Sequence, residues 1–169
     1  MKYYNLTHSY KYDTRGVALN SEAPYQIDFE HLSYKKTRPV TIEDCNSIVL
    51  THNLPKVFEE RRIHPATAVV WSKAAYNALK PFIECSIEYE IQLFFEDLTF
   101  YFVLPFQYAI QEGAIPYASS IRKAVPPEVN FFSIESSGGI FVTEAFKSCV
   151  ETHKFKGFNF NLVKEVSPY

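Results

Sequence analysis

Apolar positions change period several times along this chain, and the changes divide it into elements. Tyr3, Tyr4, Leu6 and Tyr10 alternate loosely and predict an N-terminal strand. Residues 13 to 26 carry turn residues without a period and read as loop. "QIDFEHLSY" sets Ile27 and Phe29, with His31, on one face of an extended segment that "KKTRP" ends. Ile48, Val49 and Leu50 form an apolar run closed by Asn53 and Pro55, as a buried strand would be, and "KVFEERR" is a charged surface segment. From Ala66 the pattern sharpens. Val69 and Val70 are β-branched, Ser72 stands at an N-cap position, and Ala75, Tyr76, Leu79 and Phe82 fall at helical spacing. Pro81 predicts a stop or bend of that helix near Lys80. Ile87, Tyr89 and Ile91 then alternate with Glu88, Glu90 and Gln92, the period of a half-buried strand with an acidic outer face.

The same order of elements recurs. Without a gap, Val70 aligns with Phe141, Trp71 with Val142 and Ser72 with Thr143; the register continues through Ala74 and Ala145, Leu79 and Val150, Ile87 and Phe158, Tyr89 and Phe160, Ile91 and Leu162. A strand, capped helix, strand unit is thus used twice, at about residues 66–92 and 138–163. In the second copy Phe146, Cys149, Val150 and His153 supply the helical stripe, and Gly157 stands where a helix end needs a left-handed residue. Between the copies, Leu98 to Ile110 is dense in strand formers, and "ASSIRKAVPPEVNFFSI" predicts a short helix, a Pro-Pro stop and a strand at Asn130 to Ile134. "ESSGG" reads as a turn. No linker or low-complexity tract interrupts the chain, so residues 1–169 are expected to form a single domain, least defined over 1–65. The expected class is α+β, with helices packed on a mixed or antiparallel sheet.

Composition narrows the function. The chain has 17 basic and 19 acidic residues, a formal net charge of −2, so no global field draws it to nucleic acid or to an anionic membrane. The N-terminus lacks the apolar core of a signal peptide, and the longest apolar run, "YFVLPF", is strand-sized, so no membrane association is expected. Cys45, Cys85 and Cys149 form no CxxC pair and read as free thiols in a reducing compartment, the cytoplasm. His8, His31, His52, His64 and His153 stand in no metal-binding spacing, and no phosphate-binding or nucleotide-binding glycine motif is present, so no metal or cofactor is expected. Cys45 with His52 or His64, or a pair of carboxylates, would serve a small hydrolase if folding brought them together, and an aromatic content of 17% would suit a small-ligand module. Glu84, Glu88, Glu90, Glu96 and Asp97 follow one another with no basic residue between them. Their mutual repulsion would be relieved by a basic partner.

Three blocks, "VVWSKAAYNALKPFIECSIEYEIQL", "LTFYFVLPFQYAI" and "VNFFSIESSGGIFVTEAFKSCVETHKFKGFNFNLV", with the "MKYY" start, resemble in that order the pattern of bacterial immunity proteins associated with polymorphic toxins. Val142, Thr143, Glu144, Phe146, Phe155, Lys156, Gly157 and Phe158 match its C-terminal motif of aliphatic strand, Ser or Thr, charged residue, amphipathic helix, glycine segment and closing strand. The chain departs from the pattern at "PFQYAIQEGAIPYASS", where the family is polar and rich in aspartate, and residues 11–45 match no part of it. The resemblance implies a non-enzymatic, cytoplasmic protein that neutralises a cognate toxin by stoichiometric binding. The acidic residues Glu84, Glu88, Glu90, Glu96 and Asp97 are the interface candidates, with Tyr89 excluded as inward-pointing.

Overall fold

A computed structural model describes residues 1–8, 17–19, 24–28, 46–48, 50–52, 69–95, 97–111, 116–135 and 137–166. The strands are β1 (Tyr3–His8), β2 (Val17–Leu19), β3 (Tyr25–Asp28), β4 (Ser47–Ile48), β5 (Leu50–His52), β6 (Val69–Ser72) and β7 (Ile87–Phe95). They continue with β8 (Leu98–Pro105), β9 (Gln107–Tyr108), β10 (Phe131–Ile134), β11 (Gly139–Thr143) and β12 (Phe158–Leu162). The helices are α1 (Lys73–Ile83), α2 (Ala118–Ala124) and α3 (Glu144–Thr152). The class is α+β, with one sheet ordered β12-β1-β11-β10-β9 and another ordered β4-β6-β8-β7-β3-β2-β5.

β6 and β7 both run antiparallel to β8, which lies between them, so the β6–α1–β7 unit is a crossover split by a third strand. β11 and β12 flank β1 in the same way. Outside β6 lies β4, and outside β11 lies β10, each antiparallel to its neighbour. The strand order β4-β6-β8-β7 therefore corresponds to β10-β11-β1-β12, and the sequence repeat is the visible part of a larger structural one. Helices α1 and α3 pack together. At their seam the Cys149 thiol donates to the Ala78 carbonyl at 3.5 Å, and these residues, 71 positions apart, are each other's counterparts. A pseudo-two-fold axis thus passes between the helices at this contact.

Both halves anchor the strand-to-helix corner with an asparagine that precedes the outer strand, but they use the corner hydroxyl in opposite senses. In the first, the Asn46 carbonyl accepts from the Ser72 amide at 3.0 Å, and the Asn46 side-chain amide donates to Ser72 Oγ at 3.0 Å. Ser72 Oγ also accepts from the Ala75 N–H at 3.3 Å, the N-cap bond of α1. In the second, the Asn130 carbonyl accepts from the Thr143 amide at 3.1 Å, while Thr143 Oγ1 donates to Asn130 Oδ1 at 2.6 Å and makes no cap bond.

One apolar core joins the halves: Tyr4, Leu6, Phe131, Ile140 and Val142 from one sheet and Val69, Trp71 and Val103 from the other meet Ala75, Tyr76, Leu79 and Ile83 of α1 and Phe146 and Val150 of α3. The opposite faces are covered differently. In the C-terminal half, Tyr3, Phe132, Ile134 and Phe141 pack under Ala118, Ile121 and Val125 on and after α2. In the other half the sheet closes on itself. β4 and β5 end the strand order on opposite sides, yet one residue separates them in the chain. Six inter-strand steps would span about 29 Å, whereas two Cα steps reach about 7.6 Å at most, so the sheet must curl until its ends meet. Buried Val70, Leu93, Phe100 and Phe102, on the face away from α1, fill this small barrel.

Several expectations are corrected. Ile87 and Tyr89 do not share a face, because the register shifts between them and the extra residue, Glu88, inverts the alternation. Beyond this bulge Glu90 stands opposite Val103 and faces α1, whereas Tyr89 and Leu93 face the other way, opposite Leu104 and Phe100. The ungapped alignment of the repeat holds at Ile87 and Phe158 but slips by one residue afterwards, for Phe160 pairs with Leu6 as Glu90 pairs with Val103. Pro81 does not end α1, which runs to Ile83: in the last turn the missing N–H costs one bond, and the Glu84 amide still reaches the Lys80 carbonyl at 3.1 Å. The left-handed residue closing α3 is Lys154, φ 56°, with Phe155 N–H donating to Val150 O and Lys154 N–H to Glu151 O; Gly157, φ 95°, is left-handed in the following turn. His153 is exposed and stacks on Phe155 instead of joining the apolar stripe. The stretch 13–26 contains β2 and the start of β3, held by pairing with β5 and β7 that no local period announces. The run at 48–50 belongs to two strands, β4 against β6 and β5 against β2. Tyr10, Phe29, His31, Val49 and the segment "KVFEERR" lie outside the described residues.

Candidate partner interface

α1 ends at the exposed Glu84, whose carboxylate sits at the negative end of the helix dipole, where it is disfavoured. Glu88 is exposed in the bulge that opens β7. Glu90 is exposed at the rim between β7 and α1, and the Tyr76 hydroxyl donates to its Oε2 at 2.6 Å. Asp97 is exposed in the β7–β8 turn, at the far end of β7, so it stands apart from the other three. Glu96 lies outside the described residues.

The sequence reading missed the aromatic floor beside these carboxylates. The Tyr76 and Tyr101 rings stack, with centroids 3.9 Å apart and planes 11° from parallel. Gln92 Nε2 donates to the Tyr101 hydroxyl at 3.3 Å. Burial first, then the Glu90 hydrogen bond and the charges of Glu90 and Glu84, push the Tyr76 hydroxyl well above its ordinary range. It therefore remains a donor throughout the neutral range. The helical spacing of Tyr76 and the strand composition around Tyr101 were visible, but not that α1 lays one ring on the other.

Among the described residues, Glu84, Glu88, Glu90 and Asp97 enter no ion pair, and neither do the exposed Glu128 and Glu135, whereas three carboxylates of the C-terminal half are paired. There Lys147 Nζ lies 2.8 Å from Glu151 and 3.9 Å from Glu144, and Arg122 lies 2.6 Å from Glu165. An uncompensated acidic edge can attract a cationic surface.

Other groups are placed differently. Cys149 Sγ is 3.7 Å from His153 Nδ1, but burial raises the thiol pKa, the opposite of what activates a nucleophile. Cys45 and His64 lie outside the described residues. A groove of about 290 Å³ at the N-terminus of α1 is lined by Asn46, Ser72, Lys73, Asp97 and Thr99, among others. The Asn46 and Ser72 side chains are already bonded to each other, to Ala75 and to Lys156. No group of three or more metal-ligating side chains occurs among the described residues, and no helix among them is long and apolar enough to cross a membrane. Comparison with protein-family models, with curated proteins and with solved structures returned no match.

Proposed function

We propose that this protein is an immunity protein that binds a cognate bacterial toxin and neutralises it by stoichiometric protein–protein interaction. The observation that carries this reading is the α1–β7 edge, where the end of α1 and the start of β7 bring exposed Glu84, Glu88 and Glu90 to one end of the strand with no ion pair among the described residues. The edge is rigid. α1 buries Ala75, Tyr76, Leu79 and Ile83 in the common core, and β7 is paired along its length with β8. A preorganised charged surface loses little freedom when a partner docks, and opposite charge speeds the encounter. Neutralisation needs nothing further, since occupying a toxin's surface stops its activity without chemistry by the inhibitor.

The test is co-expression with the product of the adjacent gene, following growth and co-purification. Rescue of growth together with a stable one-to-one complex is the expected result. Unaltered growth with and without this protein, and no complex, would remove the proposal.

A further inference from the structure

β12 ends the first sheet on one side, and among the described residues no strand pairs with its outer side. Which backbone groups are left there follows from the ladder. Val163 N–H donates to the Tyr3 carbonyl at 2.9 Å, one step beyond the Tyr4–Leu162 pair of the β1–β12 register. Hydrogen-bonded pairs alternate along an antiparallel ladder, so Asn161 and Asn159 also turn their N–H and C=O groups toward β1. Phe158, Phe160 and Leu162 turn theirs outward. The side chains sort in the same alternation. Phe158 and Phe160 stack, half-buried against the common core, and Leu162 follows in the row, 61% exposed. Asn159 and Asn161 lie on the other face, where both side-chain amides donate to Thr7 Oγ1. The strand contains no charge, proline or bulge, the devices that keep an edge from pairing. In the other half the corresponding strand, β7, does carry a further strand on its outer side, β3, at Leu93 and Phe94.

We propose that β12 is a dimerisation edge, at which a second copy of the chain adds its own β12 antiparallel, across a two-fold axis at Phe160. A second copy is the fitting occupant because the strand is complementary to its own reverse. With Phe160 opposite Phe160, Phe158 meets Leu162 and Asn159 meets Asn161, so apolar side chains face apolar ones, amides face amides, and no charge enters the ladder. The same register sets the outward backbone groups against each other, and the pairs 158 with 162, 160 with 160 and 162 with 158 each exchange two hydrogen bonds. A slip of one residue would break both matches at once. The ladder is bounded: Gly157, φ 95°, turns the chain before it, and the Lys164 carbonyl after it is taken by the Ala118 N–H. Exposed Lys156 and Lys164 stand at these two ends, so the two-fold brings lysines of both copies near each other, and association should tighten as salt screens them. A pairing this short falls below the area of a stable interface, so a dissociation constant on the order of 100 µM is expected.

The test is sedimentation equilibrium of the isolated protein from about 10 µM to about 1 mM, with amide hydrogen exchange at both ends of that range. A reversible monomer–dimer equilibrium is expected, strengthened by salt. The Phe160 and Leu162 amides should exchange freely when dilute and be protected when concentrated, with the Asn159 and Asn161 amides protected throughout. Leu162→Lys, at a position already exposed, should leave folding intact and weaken association about five- to tenfold, since the two-fold repeats the change at both ends of the ladder. A monomer across the range, association without new protection at Phe160 and Leu162, weakening by salt, or an unchanged equilibrium in Leu162→Lys would each overturn the proposal. β12 is no part of the α1–β7 edge, so loss of either proposal leaves the other standing.

Discussion

Placing one aspartate at either of two equivalent corners should have opposite consequences. Ser72 Oγ faces only donors, the Ala75 N–H at 3.3 Å and the Asn46 amide at 3.0 Å. Thr143 Oγ1 faces an acceptor, Asn130 Oδ1 at 2.6 Å, and that oxygen cannot be exchanged for the amide nitrogen without losing the bond from Asn130 Nδ2 to the Glu128 carbonyl. Ser72→Ala loses the helix cap, worth about 1 kcal/mol, and the Asn46 bond, worth about 0.5–1 kcal/mol, for a total near 1.5–2 kcal/mol. Ser72→Asp restores an acceptor for both donors at a favourable helix end, so it should lie within about 1 kcal/mol of the parent even with Asp97 near the same groove. Thr143→Asp sets a carboxylate against a carbonyl oxygen at a residue that is 2% exposed. It should cost about 3 kcal/mol or more. Urea unfolding followed by the fluorescence of Trp71, the one tryptophan and fully buried, reads all three variants. Equal losses for Ser72→Asp and Thr143→Asp would refute the opposed roles of the two hydroxyls.

Three further outcomes are expected. Lys154→Gly should stabilise the protein by about 1 kcal/mol in the same assay, because a left-handed residue with a side chain is replaced by one without; no gain would mean that the Lys154 side chain compensates for its conformation. Arg122, first by its hydrogen bond and then by its charge, holds the Glu165 pKa below the ordinary carboxylate value. A depressed folded-state pKa stabilises above the unfolded value and loses that contribution as pH falls through the folded one, so the Tm difference between the parent and Glu165→Gln should be present at neutral pH and shrink progressively as pH falls below the ordinary carboxylate value of about 4.3; a difference constant with pH would contradict it. Glu88→Lys with Glu90→Lys should slow association with the toxin and flatten its salt dependence, with a lower Tm from the lost Tyr76–Glu90 bond, whereas Glu88→Lys alone should leave Tm nearly unchanged. Unaltered rate and affinity would move the interface elsewhere.

What the sequence disclosed depended on how local each feature is. The strand, helix, strand repeat was legible because caps and apolar stripes recur at one spacing, from Val70 and Phe141 through Leu79 and Val150. It failed one residue past Ile87, since a bulge changes which face every later side chain takes without leaving a local mark. That single residue turned Glu90 from an outer-face carboxylate into the partner of Tyr76. The counterparts β1 and β8 were out of reach because they differ in chain order, and β4 and β10 because their connections to the next strand differ greatly in length; the pairs share little beyond Asn46, Asn130 and the tyrosines at 4 and 101. Barrel closure was equally hidden: the residues at 47–52 show apolar character but not that one end pairs with β6 and the other with β2. The acidic candidates were found by composition, and folding then sorted them, grouping Glu84, Glu88 and Glu90 and leaving Asp97 at the other end of β7.

The comparison of halves also explains why the charges sit where they do. Both units must bury the same sheet face under α1 and α3, and the common core requires it of each. Their outer rims are free to differ. In the C-terminal half the rim carboxylates Glu144 and Glu151 are matched by Lys147, and Arg122 with Glu165 ties α2 to the segment after β12, so its charges serve the fold. In the N-terminal half Lys73, Tyr76 and Lys80 stand where Glu144, Lys147 and Glu151 stand in the other, so the ion pairs along α3 have no equivalent on α1, and Tyr76 instead donates to Glu90 of β7. A carboxylate left without a cation adds repulsion to the free protein and gains only when something positive arrives.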